Sequence, residues 1–231
     1  LWLDRLGAAD RVTVVPGNHD AYVRSPWSST FSLWQPYMQS DPECTAFPHT
    51  DNESLFPSVR IRNGVALIGL SSANASAPFL ATGSLGLQQR QRLSTLLRRA
   101  AEQGLFRVVL LHHPPRAEDE KWRKRLTDGK ALCAILQREG AELVLHGHSH
   151  RSVESWSPHG AGKIPVFGIP SASAIGRQAG RRAHFYLYRI RREGDHCSVR
   201  VSVRGYQPYQ YRFSLQHEHH LSVPVIYSTS L

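Results

Sequence analysis

Apolar residues fall in short runs along this chain, and several runs that read as strands end in a burst of polar, chemistry-bearing groups. Residues 11–15, Arg-Val-Thr-Val-Val, form a short buried strand that Pro16-Gly17 ends, and Gly17-Asn18-His19-Asp20 follows at once. Residues 58–62, Asn63-Gly64 and residues 65–70 predict a hairpin, because Asn-Gly supplies the two positive-φ positions of a type I′ turn. Its second strand runs into Ser71-Ser72-Ala73-Asn74. Leu87, Leu93, Leu96, Leu97, Ala100 and Ala101 recur on one helical face, Arg90, Arg92, Arg98 and Arg99 fall largely outside it, and Gly104 is placed to end the helix. Residues 107–111 predict a buried strand leading into His112-His113-Pro114-Pro115. Leu132, Ile135 and Leu136 mark a second helix closed near Gly140, and residues 142–145 a strand that opens onto His146-Gly147-His148-Ser149-His150.

Strand, helix, strand, helix, strand implies parallel pairing through right-handed crossovers. After Arg151 the pattern changes: residues 164–169, 184–192 and 197–204 read as strands joined by turns such as Glu193-Gly194-Asp195, so antiparallel pairing is expected. Residues 21–57 lose periodicity under Pro26, Pro36, Pro42, Pro48 and Pro57. Trp27, Phe31, Trp34 and Tyr37 would make this stretch an aromatic-packed flap with one short helix near residues 29–37. No internal repeat or linker divides the chain.

With 231 residues, 41% of them hydrophobic and 20% charged, the composition fits a soluble globular domain with a sizeable core. The apolar runs are far shorter than the ~20 residues of a membrane helix, so no membrane association is expected. Cys44, Cys133 and Cys197 lie in no C-x-x-C pattern, which argues against a disulfide framework or a thiolate zinc site and for a reducing cytoplasm. The net charge of +10 can steer anionic partners, phosphates and nucleic acid included. The tail from Arg204 to Arg212, with Tyr206, Tyr209 and Tyr211, would suit base stacking beside cations, or else a closing strand or mobile end. His217, Glu218, His219 and His220 offer metal-type ligands there, or a solvated tail.

Open α/β sheets bind ligands beyond the carboxyl ends of their strands, so the bursts at Asn18, His112 and His148 can meet in one place. His148 and His150, two apart in a tight turn, can direct both imidazoles into one cleft, and Gly147 permits close backbone approach. Neutral imidazole is a preferred ligand of zinc, iron and other first-row metals. A metal site is the reading these residues favour.

On Gly17-Asn18-His19-Asp20, Gly83-Ser84-Leu85-Gly86 with Gln88-Gln89, His112-His113-Pro114, Gly147-His148-Ser149-His150 and Pro170-Ser171-Ala172-Ser173, the sequence resembles the calcineurin-like metallophosphoesterase superfamily, and within it the bacterial class III cyclic-nucleotide phosphodiesterase type. The resemblance implies an α/β fold, a four-layer α-β-β-α sandwich of mixed sheets, over residues 1–204, with residues 205–231 as an extension, closing strand or tail. It implies hydrolysis of a small-molecule phosphoester, expected to be a phosphodiester, by in-line attack of a metal-bound hydroxide between two divalent ions of iron, manganese or zinc. Asn18, His112 and His148 would ligate one ion and His150 the other. His112 is preferred to His113 because the family's ligand lies two positions before the proline. His19 would stabilise the phosphoryl oxygens or protonate the leaving group, Asp20 would orient His19 or its loop, and His113 and His146 would support the ligands. Substrate choice is expected to lie in residues 21–57 and 74–83.

The family's Asp-x-His and Gly-Asp motifs, the second of which bridges the metals, precede Gly-Asn-His, and residues 1–17 contain neither. A βαβ unit takes ~30 residues. The sheet is therefore expected to lack its first strands, and the chain to be a fragment of a longer enzyme that binds metal poorly, folds marginally and turns over little. Two other readings are a non-catalytic module holding an anion through Arg and His side chains, and a basic nucleic-acid-binding protein.

Overall fold

A computed structural model describes residues 2–21, 31–46, 55–160, 162–175 and 181–225. Among the described residues, the excursion before the hairpin contains one short α-helix, α1 (Gln35–Met38), with Phe31 and Trp34 edge to face ahead of it; Trp27 lies outside the described residues. β1 (Ser58–Arg62) and β2 (Val65–Gly69) pair as the expected hairpin, Asn63 and Gly64 at φ 49° and 79°. α2 (Leu87–Glu102) leads from β2 to β3 (Phe106–Leu110), and α3 (Gly129–Glu139) from β3 to β4 (Leu143–His146). With β5 (Val153–His159) and β6 (Gly162–Gly168) these strands build one sheet in the order β1-β2-β3-β4-β6-β5. β2, β3, β4 and β6 are parallel, and β1 and β5 close its edges antiparallel.

The period-two alternation of the strands divides the core. Ala66, Ile68, Val109, Val144 and Val166 face Leu93, Leu97, Leu132 and Leu136 of the helices. Their neighbours Val108, Leu143 and Phe167 face Cys197, Val199 and Val201 of a second, antiparallel sheet, β7 (His184–Glu193), β8 (His196–Gln207) and β9 (Arg212–Pro224). Each fully buried aliphatic side chain contributes ~1.5–3 kcal/mol.

One charged pair interrupts the helix-facing side. Arg107 and Glu142 are both fully buried; the guanidinium donates to the Glu142 carboxylate at 2.8 and 3.0 Å and to the carbonyls of Leu97 and Glu139 at 3.1 and 2.9 Å. One side chain thus ties the last turns of both helices to the sheet, and it lets a buried charge persist without an unmet partner.

Four expectations change. Residues 11–15 join no ladder among the described strands. The segment is held instead by Val14 N–H on the Tyr37 carbonyl at 2.9 Å, and by the buried Arg60, whose guanidinium donates to the carbonyls of Ala9, Val12 and Pro36. The layers among the described residues are three rather than four, because no described α-helix follows β6; Leu187, Arg189 and Arg200 on the outer face of the small sheet are exposed. Residues 164–169 were expected to pair antiparallel, yet β6 also pairs parallel to β4. The tail from Arg204 onward is the end of β8, a turn carrying the exposed Tyr209 and Tyr211, and β9 laid along β8, so the boundary at 204 falls inside a strand. No helix of the described residues is long and apolar enough to cross a membrane.

Candidate metal centre at the strand ends

Parallel register brings the polar bursts together. Leu110 pairs with Leu145; Leu111 N–H then donates to the Leu145 carbonyl at 3.1 Å and Gly147 N–H to the His112 carbonyl at 3.0 Å, so the chain beyond β3 and the chain beyond β4 leave the sheet side by side. The turn that follows is tight: His148 and His150 both hold left-handed backbone, φ 65° and 52°. Such conformations cost ~1–3 kcal/mol each in a residue with a Cβ and gather at functional sites.

His112, His148 and the buried Asn18 converge from three separate segments. His112 Nε2 lies 2.9 Å from Asn18 Oδ1 and 3.1 Å from His148 Nδ1, and His148 Nδ1 lies 3.2 Å from Asn18 Oδ1. Two imidazole nitrogens and an inward-turned amide oxygen thus face one another in a near-equilateral triangle. Ligands of a tetrahedral first-row ion at ~2.0–2.1 Å stand ~3.3 Å apart, so the spacing and the donor types suit one cation. Burial lowers the pKa of His112 to about 3, with the nearby His113, His148, His19 and His150 adding to it, and burial lowers that of His148 to about 4. Both rings are neutral near pH 7, the form in which imidazole binds metal.

Local chemistry aims Asn18. Gly17 packs so closely that a Cβ there would lie 2.8 Å from the His112 ring, and Asp20 closes the turn by accepting the Gly17 N–H at 2.8 Å. Asp20 therefore holds the loop, one of the two roles expected for it. His19 is exposed beside the triangle, and His150 is exposed at its rim. The structure thus gathers three of the four expected ligands; among the described residues no group of three His, Cys, Asp or Glu side chains forms a metal site, at His150 or at residues 217–220. His219 instead sits 3.4 Å from Glu154 and packs on Phe167.

The two supporting histidines are engaged elsewhere. His113, fully buried, has Nδ1 2.8 Å from Ser72 Oγ and Nε2 3.1 Å from the Ala81 carbonyl. Since the carbonyl only accepts, Nε2 carries the proton and the Ser72 hydroxyl donates to Nδ1. His146 turns Nδ1 to the Gly147 carbonyl at 3.0 Å. Beside the triangle opens a cavity of about 820 Å³, reaching from His148 and His150 to Phe79 and to basic residues of the loop after β3. Sequence reasoning passed over that wall, although Lys121-Trp122-Arg123-Lys124-Arg125 is a visible basic run.

A family model described as calcineurin-like phosphoesterase matches residues 1–152. The chain therefore belongs to the calcineurin-like phosphoesterase family. Among solved structures it is similar to a dimetal phosphatase from Danio rerio, at 13% identity and a TM-score of 0.41 over 62% of this chain and 39% of that one. It is also similar to GAP50, the anchor in the inner membrane complex of Plasmodium, at 10% identity and a TM-score of 0.41 over 69% of this chain and 50% of that one. The chain thus spans half or less of the length of either. No curated protein matches it.

Proposed function

We propose that this member of the calcineurin-like phosphoesterases carries the metal-binding strand ends of a hydrolase for small-molecule phosphodiesters, working in the cytoplasm. The convergence of Asn18, His112 and His148 on one point supports the reading most directly. A divalent ion of iron, manganese or zinc held there supplies Lewis-acid stabilisation of charge on the phosphoryl oxygens. The chain's own residues do the rest. His112 and His148 stay neutral because they are buried, so their lone pairs remain available near neutral pH. Asp20 fixes the turn that presents Asn18. His19, exposed beside the triangle, is placed to donate a proton to the departing alkoxide. His150, on the rim, is the residue we assign to a second ion. Three free cysteines suit a reducing compartment.

The test is a Co²⁺ titration followed by visible absorption, paired with hydrolysis of bis-p-nitrophenyl phosphate in Mn²⁺ or Fe²⁺. One site lost in His112→Ala and His148→Ala, together with loss of the weak turnover expected of this chain, is the expected result. Equal hydrolysis by His148→Ala would dismiss the site.

A further inference from the structure

We propose that the cavity beside His148 and His150 is a subsite for a second anionic group of the substrate, carried on a flat aromatic body: an aryl phosphoester whose ring bears a further negative charge. The inference rests on the phosphoester reading and adds the substrate class. The wall is built from cations. Lys121, Arg123 and Lys124 come from the loop between β3 and α3, Arg151 from the end of the histidine turn, and Arg181 from the segment before β7.

The acids that share this wall are engaged. Asp119 accepts from the Ser155 hydroxyl at 3.1 Å and stands 3.9 Å from Arg116, which also approaches Glu118 at 3.8 Å; Glu120 accepts the Lys121 N–H at 2.9 Å. Among the described residues, Lys121, Arg123 and Arg181 form no ion pair with a carboxylate. Five cationic side chains against the carboxylates of Glu118, Asp119 and Glu120 leave this concave wall with an excess of positive charge, which attracts an anion that enters.

Size and shape narrow the ligand. A cavity of about 820 Å³ is far larger than a phosphate group needs and falls in the range of sites for drug-sized molecules, ~300–1,000 Å³. Phe79 stands on its lip, 95% exposed and at φ 65°, so the chain spends both apolar exposure and backbone strain to hold a bare ring there. Arg123 lines the same cavity, and its guanidinium lies 5.9 Å from the exposed Trp122 ring. An aromatic ring on Phe79, with its anionic substituent on Arg123 and Arg181, satisfies both features at once. Since His148 and His150 line the same cavity, a phosphoryl group at the triangle leaves its alcohol pointing into this space.

Calorimetric titration of the chain in EDTA with phenyl phosphate, p-carboxyphenyl phosphate and inorganic phosphate decides the matter. The carboxylated ester should bind about tenfold tighter than phenyl phosphate, and high salt should erase the preference. Arg123→Ala/Arg181→Ala should remove it, Arg123→Lys should retain most of it, and Phe79→Ala should weaken both aryl esters several-fold while sparing inorganic phosphate. Equal affinities, no detectable binding, or a preference that survives in the double arginine variant overturns the subsite. Co²⁺ binding separates the two proposals: the arginine and phenylalanine variants should keep it, whereas its absence from the unmutated chain would defeat the phosphoesterase reading and leave the metal-free measurement standing.

Discussion

Four buried or half-buried imidazoles stand at the ends of β3 and β4, and they divide by where their nitrogens go. His113 directs both of its nitrogens at Ser72 and Ala81, groups that complete a hydrogen bond, and His146 directs Nδ1 at the Gly147 carbonyl while its Nε2 is buried with no hydrogen-bond partner among the described residues. His112 and His148 direct theirs at each other and at the Asn18 oxygen, where lone pairs outnumber the protons available to fill them. Residue type and burial do not distinguish the pairs; partner chemistry does. Buried polar groups with complete partners hold the fold, and buried polar groups left facing one another hold a place for something else.

The fully partnered extreme is Arg107 with Glu142, and it should give the largest effect. Glu142→Leu leaves a guanidinium with no counter-charge at 0% exposure and should cost about 3–5 kcal/mol of unfolding free energy in urea. Co²⁺ affinity of the folded fraction should not change. A cost below ~1 kcal/mol would show that the pair is relieved by water and is not part of the stabilising class.

The histidines themselves provide the sharper contrast. His113→Ala removes the partner of Ser72 and of the Ala81 carbonyl and empties the space that Gly83 packs against, so it should cost about 2–3 kcal/mol while metal binding persists. His112→Ala, one residue away, should cost under ~1 kcal/mol and lower Co²⁺ affinity by about 100-fold or more. If both substitutions destabilise equally and neither alters metal binding, the division of the four imidazoles fails.

Much of this was legible in the sequence, for a definable reason. Strand alternation and the Asn63-Gly64 turn write local rules into local residues, and the helices announce themselves by Leu87–Glu102 spacing with Gly104 beyond the end. The ligand bursts were legible because parallel strands line up their carboxyl ends. β5 was missed because it is an edge strand whose only buried residue is Ser157 and which carries Pro158, so it lacks an apolar stripe. Arg107 and Glu142 were not legible as a pair, because the partnership spans thirty-five residues and depends on two helix ends meeting. Nor could sequence separate His112 from His113 on its own: adjacent imidazoles differ only through Ser72 and Ala81, which approach from elsewhere in the chain. Residues 11–15 have strand character and join no described ladder, which shows that propensity alone does not make a strand.

On the functional side of the contrast, Gly17 sets the geometry without supplying a ligand itself. A methyl group there would lie 2.8 Å from the His112 ring and push it off the Asn18 oxygen. Gly17→Ala should lower Co²⁺ affinity about tenfold, roughly 1.4 kcal/mol, with a smaller change in unfolding free energy. Unchanged affinity would mean that the ring can shift freely, and that the triangle is looser than its distances suggest.

The weakest member of the partnered class is Asp41, which closes the open edge of β1. Its carboxylate accepts the Ile61 N–H at 2.9 Å and both Arg62 amino groups at 2.6 and 2.9 Å. The Arg62 guanidinium holds this carboxyl below its ordinary value of 3.8, against burial that would raise it. Because the folded pKa is the lower one, the folded protein binds fewer protons than the unfolded chain as pH drops through 3.8. The stabilisation is therefore complete above about pH 5 and is lost as acid reaches the lowered folded value. The pair is partly exposed, so Asp41→Asn should cost only ~0.5–1 kcal/mol at pH 7. The difference between variant and parent should shrink steadily below pH 4, and a gap that stayed constant down to pH 3 would assign the effect to the Ile61 hydrogen bond rather than to charge.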